Sequence, residues 1–196
     1  MKKLIATVCI CILSVTGFAQ QTNLTGFNKE RVRLSRTGIK GLAVYSAANI
    51  IYGTIAASQS TGSNKYFHEM NAIWNGITLG ITGIGILTAK KEGQLSYNAS
   101  LKKQANIEKL FLFNAGLDVA YIAGGAYLKE RSKTTIKNPL RLKGYGESIM
   151  LQGSVLLLFD GVMYVLHNNH GKFLNKMGEN IKLASTSNGI GFIVKL

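Results

Sequence analysis

Two aspartates stand inside stretches of the sequence that otherwise carry no charge. Asp118 is the one charged residue of 110–128, and Asp160 is the one charged residue of 148–171. An ionisable side chain is costly in hydrocarbon and by default marks a functional site there. The pattern therefore predicts a site that binds or passes a small solute or a proton. Hydrogen bonding between helices is the structural alternative.

Amide, imidazole and phenol groups accompany the two aspartates at helical spacing. Asn114 precedes Asp118 by four residues, and Gln152, Asp160 and Tyr164 fall on one stripe of a helix with a period of about 3.6 residues. Because polar residues of membrane helices usually face the protein interior, we expect one polar seam through the protein. Its predicted members besides the aspartates are Asn49, His68, Asn71, Asn75, Asn114, Gln152 and Tyr164.

No motif for catalysis or cofactor binding accompanies this seam. The sequence has neither GxSxG nor HExxH, and the glycine-rich run 80–85 is not followed by the Lys-Ser or Lys-Thr of a phosphate loop. His167 and His170 lie three residues apart, but no cysteine or carboxylate near them completes a zinc site. We therefore expect no catalytic residue, no metal and no cofactor, and an enzyme is the least favoured class.

The composition is that of a membrane protein. Of 196 residues, 46% are hydrophobic and only 16% are charged, with a net charge of +14. The charges lie between long uncharged runs, each of which holds an apolar segment of about 19 to 22 residues, enough to cross a bilayer as a helix. A soluble bundle would need a polar stripe along each helix, which a run such as 76–87 lacks.

The predicted fold is an all-α membrane protein with four antiparallel transmembrane helices and a short C-terminal β-hairpin. Within a transmembrane domain of 37–170, the predicted spans are about 39–58, 70–89, 110–128 and 148–167. Small residues that recur at every fourth position let membrane helices pack closely. We expect such packing within one chain, with dimerisation as the alternative, at the following small residues: Ala43, Ala47, Gly76, Gly80, Gly116, Ala120 and Gly124.

The N-terminus is organised like a secretory signal peptide. Lys2 and Lys3 precede an apolar stretch, and Gly17 and Ala19 stand where signal cleavage requires small residues. We expect residues 1–19 to be removed, and both cysteines with them; an uncleaved first membrane helix is the alternative. Residues 20–36 are predicted to form an interfacial amphipathic segment whose cations lie at the headgroups.

The predicted extramembrane tail is residues 171–196. Asn188-Gly189 stands between two strand-like runs, a pattern typical of a β-hairpin with a type I′ turn.

Two signals for orientation conflict. Signal cleavage puts the mature N-terminus in the periplasm, whereas the Lys and Arg residues of the loops favour the reverse orientation under the positive-inside rule. Because the N-terminal segment acts first during export, we place the protein in the bacterial inner membrane with a periplasmic mature N-terminus. The expected partners are a lipid bilayer with anionic headgroups and a membrane protein, and no nucleic acid, because the basic loops meet headgroups first.

Three segments of the chain carry long, ordered motifs. They are YFHEMNAIWN at 66–75, the NAGLDVAY stretch within 108–131, and 144–167 with Phe159-Asp160. Together with Phe27-Asn28 and Arg36-Thr37-Gly38, they resemble a domain-of-unknown-function family of small four-span membrane proteins from Gram-negative bacteria. The resemblance implies four spans, a signal peptide and no particular substrate. The predicted function is a polytopic membrane protein with a polar intramembrane seam; a structural or interaction module of an envelope complex is the alternative.

Overall fold

Four long helices dominate the structure. The computed structural model describes residues 2–88, 94–179, 181–186 and 189–194. Its helices are α1 (Lys2–Gln59), α2 (Gly62–Thr88), α3 (Tyr97–Arg131) and α4 (Pro139–Glu179). The predicted spans 110–128 and 148–167 lie within α3 and α4, and 70–89 overlaps α2 as far as its end.

Three of these helices are long and apolar enough to cross a membrane. The segments are Gly62–Leu87, Tyr97–Arg131 and Pro139–Met177. The second half of α1, which contains the predicted span 39–58, is not among them. Ser46, Asn49 and Thr54 dilute its apolar residues.

Local sequence signals mark the ends of the helices. The Ser96 side chain caps α3 by accepting a hydrogen bond from the Ala99 backbone N–H at 3.3 Å. Asn138 adopts a left-handed conformation with φ of 56°, which turns the chain between α3 and α4. Pro139 then opens α4, where a proline costs nothing because the first helical N–H has no intrahelical partner.

Close helix contacts occur at glycines, but not at the glycines that the sequence spacing indicated. A Cβ atom placed on Gly125 or Gly146 would lie 2.6 Å from the carbonyl oxygen of the other, so α3 and α4 nearly touch there. Gly53 brings α1 against α2 in the same way, with Ala72 opposite it. The prediction of close packing was wrong for the following four residues, whose Cβ positions have no atom within 4 Å in the described structure: Gly76, Gly80, Gly116 and Gly124.

The helices pair in a fixed order. α1 lies antiparallel to α2, α3 lies antiparallel to α4, and α2 and α4 run parallel side by side. The backbones of α2 and α3 do not approach each other. A gap therefore separates these two helices along part of their length.

The segment 24–36 of α1 packs against the start of α3 and the end of α4. Leu24, Phe27 and Leu174 form a small buried apolar core, and the Phe27 ring stacks on His170 at 4.1 Å. Arg31 is only 2% exposed and donates to the Ser100 carbonyl at 3.4 Å. The predicted placement of this segment's remaining cations at lipid headgroups stays a prediction.

The described part of the tail contains two strands. β1 (Ile181–Thr186) pairs antiparallel with β2 (Gly189–Val194), with Ile181 opposite Val194 and Thr186 opposite Gly189. The predicted type I′ turn depends on residues 187 and 188, which lie outside the described residues. The hairpin with that turn therefore stays a prediction.

Candidate functional site

The predicted polar residues form two separate groups. The first, here called the amide cluster, joins α1, α2 and α4 and contains Tyr45, Asn49, Asn71, Asn75 and Gln152. Asn71 is its centre: its Nδ2 donates to Asn49 Oδ1 at 3.2 Å, and its Oδ1 accepts from Asn75 Nδ2 at 3.3 Å and from Gln152 Nε2. Tyr45 donates from its hydroxyl to Gln152 Oε1 at 3.3 Å.

The amide cluster is buried, and its amide nitrogens have partners, whereas the Asn75 Oδ1 atom has none in the described structure. Asn71, Asn75 and Gln152 are each no more than 2% exposed. Asn75 Nδ2 also donates to the Asn71 carbonyl at 2.9 Å, and Asn49 Nδ2 donates to the Tyr45 carbonyl at 2.9 Å. Every amide nitrogen of the cluster thus has an acceptor within the protein. The arrangement is suited to holding three helices together.

The second group, here called the carboxyl cavity, contains the two aspartates. A cavity of about 490 Å³ is lined by residues from all four helices, among them Asn114, Asp118 and Asp160. The carboxyl of Asp118 and the amide of Asn114 are the polar neighbours of the Asp160 carboxyl. Asp118 is 3% exposed, and its Oδ2 atom has no hydrogen-bond partner in the described structure.

Three hydroxyl groups in the cavity wall, those of Ser35, Thr78 and Thr82, donate to the backbone of their own helices. Thr78 donates to the Trp74 carbonyl and Thr82 donates to the Thr78 carbonyl, so both hydroxyls serve their own helix. Ser35 donates in the same way to the Arg31 carbonyl. No Lys, Arg or His is among the residues that line the cavity. The two carboxyl groups therefore face a largely apolar space without a cation from the protein.

Aromatic contacts bound the cavity. The Trp74 ring on α2 meets the Tyr121 ring on α3 edge to face at 4.8 Å, which bridges the gap between these helices. Phe111 stacks on His167 at 5.5 Å, and the His167 Nε2 atom lies 3.3 Å from Ser35 Oγ. Asp118 and Asp160 lie between these two contacts along α3 and α4.

Two predicted members of the seam join neither group. The His68 ring contacts Tyr52 at 5.5 Å and Phe67 at 5.1 Å, near the turn between α1 and α2. Tyr164 is half-buried on α4 and is not among the residues lining the cavity. Helical spacing placed both residues on polar stripes but could not tell which neighbour each stripe would meet.

Sequence reasoning missed hydrogen bonds that join α1 and α4 to the start of α3. Asn28 Nδ2 donates to Ser100 Oγ at 2.9 Å, and Gln104 Nε2 donates to the His167 carbonyl at 2.6 Å. The spacing of Ser100 and Gln104, four residues apart at the start of α3, is the signal that could have indicated it. On the exposed side of α1, in the segment that also contains Asn28, Arg33 donates two hydrogen bonds to Glu30 and so lowers the pKa of the Glu30 carboxyl.

Metal ligands do not converge in the described part of the chain. There, no three side chains among His, Cys, Asp and Glu stand close enough together to hold a metal ion. His170 instead places its Nε2 atom 3.0 Å from the Phe27 carbonyl.

Comparison with curated proteins and with solved structures found no match. One family model does match, over residues 41–161, more than half of the chain. The match includes the amide cluster, Asp118 and Asp160, and the motifs at 66–75 and 108–131, but not Phe27 to Gly38. The chain therefore belongs to the family of unknown function DUF6992.

Proposed function

We propose that this chain is a polytopic membrane protein of four spans that binds or passes a small solute or a proton at the carboxyl cavity. The second half of α1 is the fourth span of this proposal. Its large apolar residues Val44 and Ile51 are 71% and 63% exposed, as exposed as the isoleucines of α2, a helix apolar enough to cross a membrane. Exposed apolar side chains of this kind suit contact with lipid.

The observation that carries the proposal is the state of Asp118. Its side chain is almost fully buried, faces the cavity beside Asp160, and has an oxygen without a partner. Burying a charge is unfavourable unless a counter-charge or hydrogen-bond donors compensate it. A carboxyl pair without a protein cation therefore binds either a proton, shared between the two groups, or a solute that brings its own charge or donors.

The amide cluster and the carboxyl cavity differ in how much they contribute to holding the helices together. Hydrogen bonds between membrane helices contribute typically below about 2 kcal/mol each, and amides suffice to make them. The amide cluster supplies such bonds between α1, α2 and α4. Two aspartates add the cost of an ionisable group without adding a comparable set of bonds, which favours a role in binding.

Carbodiimide labelling tests the proposal. Dicyclohexylcarbodiimide reacts with protonated carboxyl groups in apolar surroundings, so the protein in detergent at neutral pH is expected to be modified at Asp118 or Asp160. Peptide mapping by mass spectrometry locates the label, and Asp118→Asn and Asp160→Asn are expected to remove it from their own positions. Glu147, half-buried and with its Oε1 atom 3.1 Å from Lys129 Nζ, is the ion-paired carboxylate that should stay unmodified. Labelling confined to exposed glutamates would favour the interaction-module alternative.

The proposal includes an orientation. We place the protein in the bacterial inner membrane, with cleavage after Ala19, a periplasmic mature N-terminus and basic helix ends against anionic headgroups. In support of a membrane interface at this end of the helices, Phe27 stacks on His170, and Tyr97 donates to the Leu174 carbonyl at 3.0 Å. Reporter fusions at Ser96 and Leu196 should both be active in the periplasm, and a cytoplasmic Leu196 would contradict this orientation.

A further inference from the structure

The carboxyl cavity has the chemistry of a receptor for a positively charged, mostly apolar molecule. Its lining comes from all four helices and is predominantly aliphatic and aromatic, and its polar centre is the carboxyl pair Asp118 and Asp160 with Asn114 beside them. We propose that this cavity binds a lipophilic organic cation, whose charge is held by the two aspartates and whose apolar body fills the remaining space. This inference rests on the proposed function and names the class of its ligand.

The charge of the occupant follows from the charged and titratable groups around the pair. Those lining the cavity are Asp118 and Tyr121 on α3 and Asp160 on α4, while the lining residues of α1 and α2 include none. Arg36 and Lys40 of α1 line a neighbouring cleft that shares Ile39 and Gly85 with the cavity, and neither makes an ion pair in the described structure. Asp118 and Asp160 thus line a cavity whose other lining residues include no protein cation.

The lining also suits a delocalised cation rather than a hydrated metal ion. The rings of Phe111, Tyr121 and Phe159 stand in the wall, and aromatic faces attract organic cations. A hard metal ion would require several oxygen ligands converging on one point. Here two carboxyl groups and one amide share a cavity of about 490 Å³, within the range of sites for drug-sized ligands.

The route of entry fits a lipophilic compound. The backbones of α2 and α3 do not approach each other, and the cavity lies between these helices. Two residues that line the cavity, Ile81 of α2 and Leu110 of α3, are 67% and 53% exposed, so the cavity is open there. A molecule that partitions into the bilayer can therefore reach the aspartates from the hydrocarbon.

Tetraphenylphosphonium and tetraphenylborate form a matched pair of probes, because they share size and shape but differ in the sign of their charge. The full chain in detergent is expected to bind tetraphenylphosphonium and to leave tetraphenylborate unbound in equilibrium dialysis at the same concentrations. Asp118→Asn and Asp160→Asn should each weaken binding at least tenfold, whereas Glu147→Gln, on the same helix as Asp160, should leave it unchanged. Binding should weaken as pH falls, because protons compete with the cation for the carboxyl pair.

The outcomes separate this inference from the proposed function. Equal binding of both ions, or binding that survives both Asn substitutions, would show that only the apolar wall is used and would overturn the inference. If carbodiimide labels Asp118 or Asp160 but tetraphenylphosphonium does not bind, the site binds a proton or another solute and the lipophilic-cation inference fails alone. Circular dichroism spectra of each variant check that a loss of binding is not a loss of folding.

Discussion

The amide cluster and the carboxyl cavity lie one helical turn apart on α2 and α4, yet they use their polar groups in opposite ways. In the amide cluster, Asn71 holds α1 and α4 through bonds to Asn49 and Gln152. In the cavity, the Oδ2 atom of Asp118 has no hydrogen-bond partner, although only 3% of the residue is exposed. Under the proposed function, this difference follows a rule: a polar residue of a membrane helix that bonds to neighbouring helices serves packing, and one that lines a cavity serves binding.

Glycines place the helices in close contact around the amide cluster, but beside the cavity they do so only at some positions. Gly53 and Gly144 bring α2 against α1 and α4 around the amide cluster. Beside the cavity, a Cβ atom on Gly38 would lie 2.6 Å from Met163 Cε and one on Gly153 would lie 3.1 Å from the Asp118 carbonyl oxygen, whereas Gly80 and Gly116 face open space within the described structure. The open part of the packing therefore lies between α2 and α3.

Overpacking the close contact between α3 and α4 should give the largest loss of stability. Gly146→Ala would place a Cβ atom 2.6 Å from the Gly125 carbonyl oxygen, so α3 and α4 must separate. We expect a loss of about 1–3 kcal/mol, the usual cost of overpacking, measured as a lower midpoint of thermal unfolding in detergent. Gly124→Ala, whose new Cβ meets no atom within 4 Å, is the control and should leave the midpoint unchanged. Equal midpoints for the two variants would show that this crossing tolerates separation.

Removing the centre of the amide cluster should have the next largest effect. Asn71→Ala deletes the acceptor of Gln152 and Asn75 and the donor to Asn49. With about 0.6 kcal/mol for an average bond between membrane helices, the loss should be about 1–2 kcal/mol. Asn98→Ala, on the exposed start of α3, should cost much less in the same thermal unfolding measurement. A midpoint that Asn71→Ala leaves unchanged would mean that the cluster does not hold the helices together.

Patterns of charge and hydropathy predicted the helices better than they predicted their neighbours. Long uncharged runs correctly indicated membrane-length helices over α2, α3 and α4, because a helix satisfies every backbone group in hydrocarbon. Glycine spacing was wrong about Gly76 and Gly116, since the spacing does not say which face of a helix turns toward a neighbour. For the same reason the expected single seam is two groups, and His68 lies outside both.

The burial of Arg31 could not be predicted from the types and spacing of residues in the sequence. Arg31 reads as a surface cation of an amphipathic segment, but α1 continues unbroken through this segment and carries Arg31 into the contact with α3 and α4. That burial depends on α3 and α4 extending beyond the apolar spans, which the composition of the spans does not specify.

The contact between the Trp74 and Tyr121 rings joins α2 to α3, and it should contribute less to stability than the glycine contact or the amide cluster. Trp74 follows Asn71 by one turn, and its ring meets Tyr121 at 4.8 Å across the gap. A double-mutant cycle with Trp74→Leu and Tyr121→Leu should give a coupling of about 0.5–1.5 kcal/mol, as for other aromatic pairs. Additive effects of the two substitutions on the unfolding midpoint would show that the rings do not stabilise each other.

The smallest effect on stability is expected for Asp118→Asn, although it should have the strongest effect on cation binding. The Asp118 Oδ2 atom has no partner to lose, and Asn has nearly the same shape as Asp, so the midpoint should shift less than it does for Asn71→Ala. If a cation of the protein neutralised this carboxyl, breaking that pair would instead cost about 3–5 kcal/mol. Arg36 is a candidate for such a cation, because the cleft that it lines shares Ile39 with the cavity. A large loss for Asp118→Asn that is relieved in the double variant Asp118→Asn with Arg36→Gln would therefore make Asp118 a structural residue like Asn71, and the contrast between the two groups would fail.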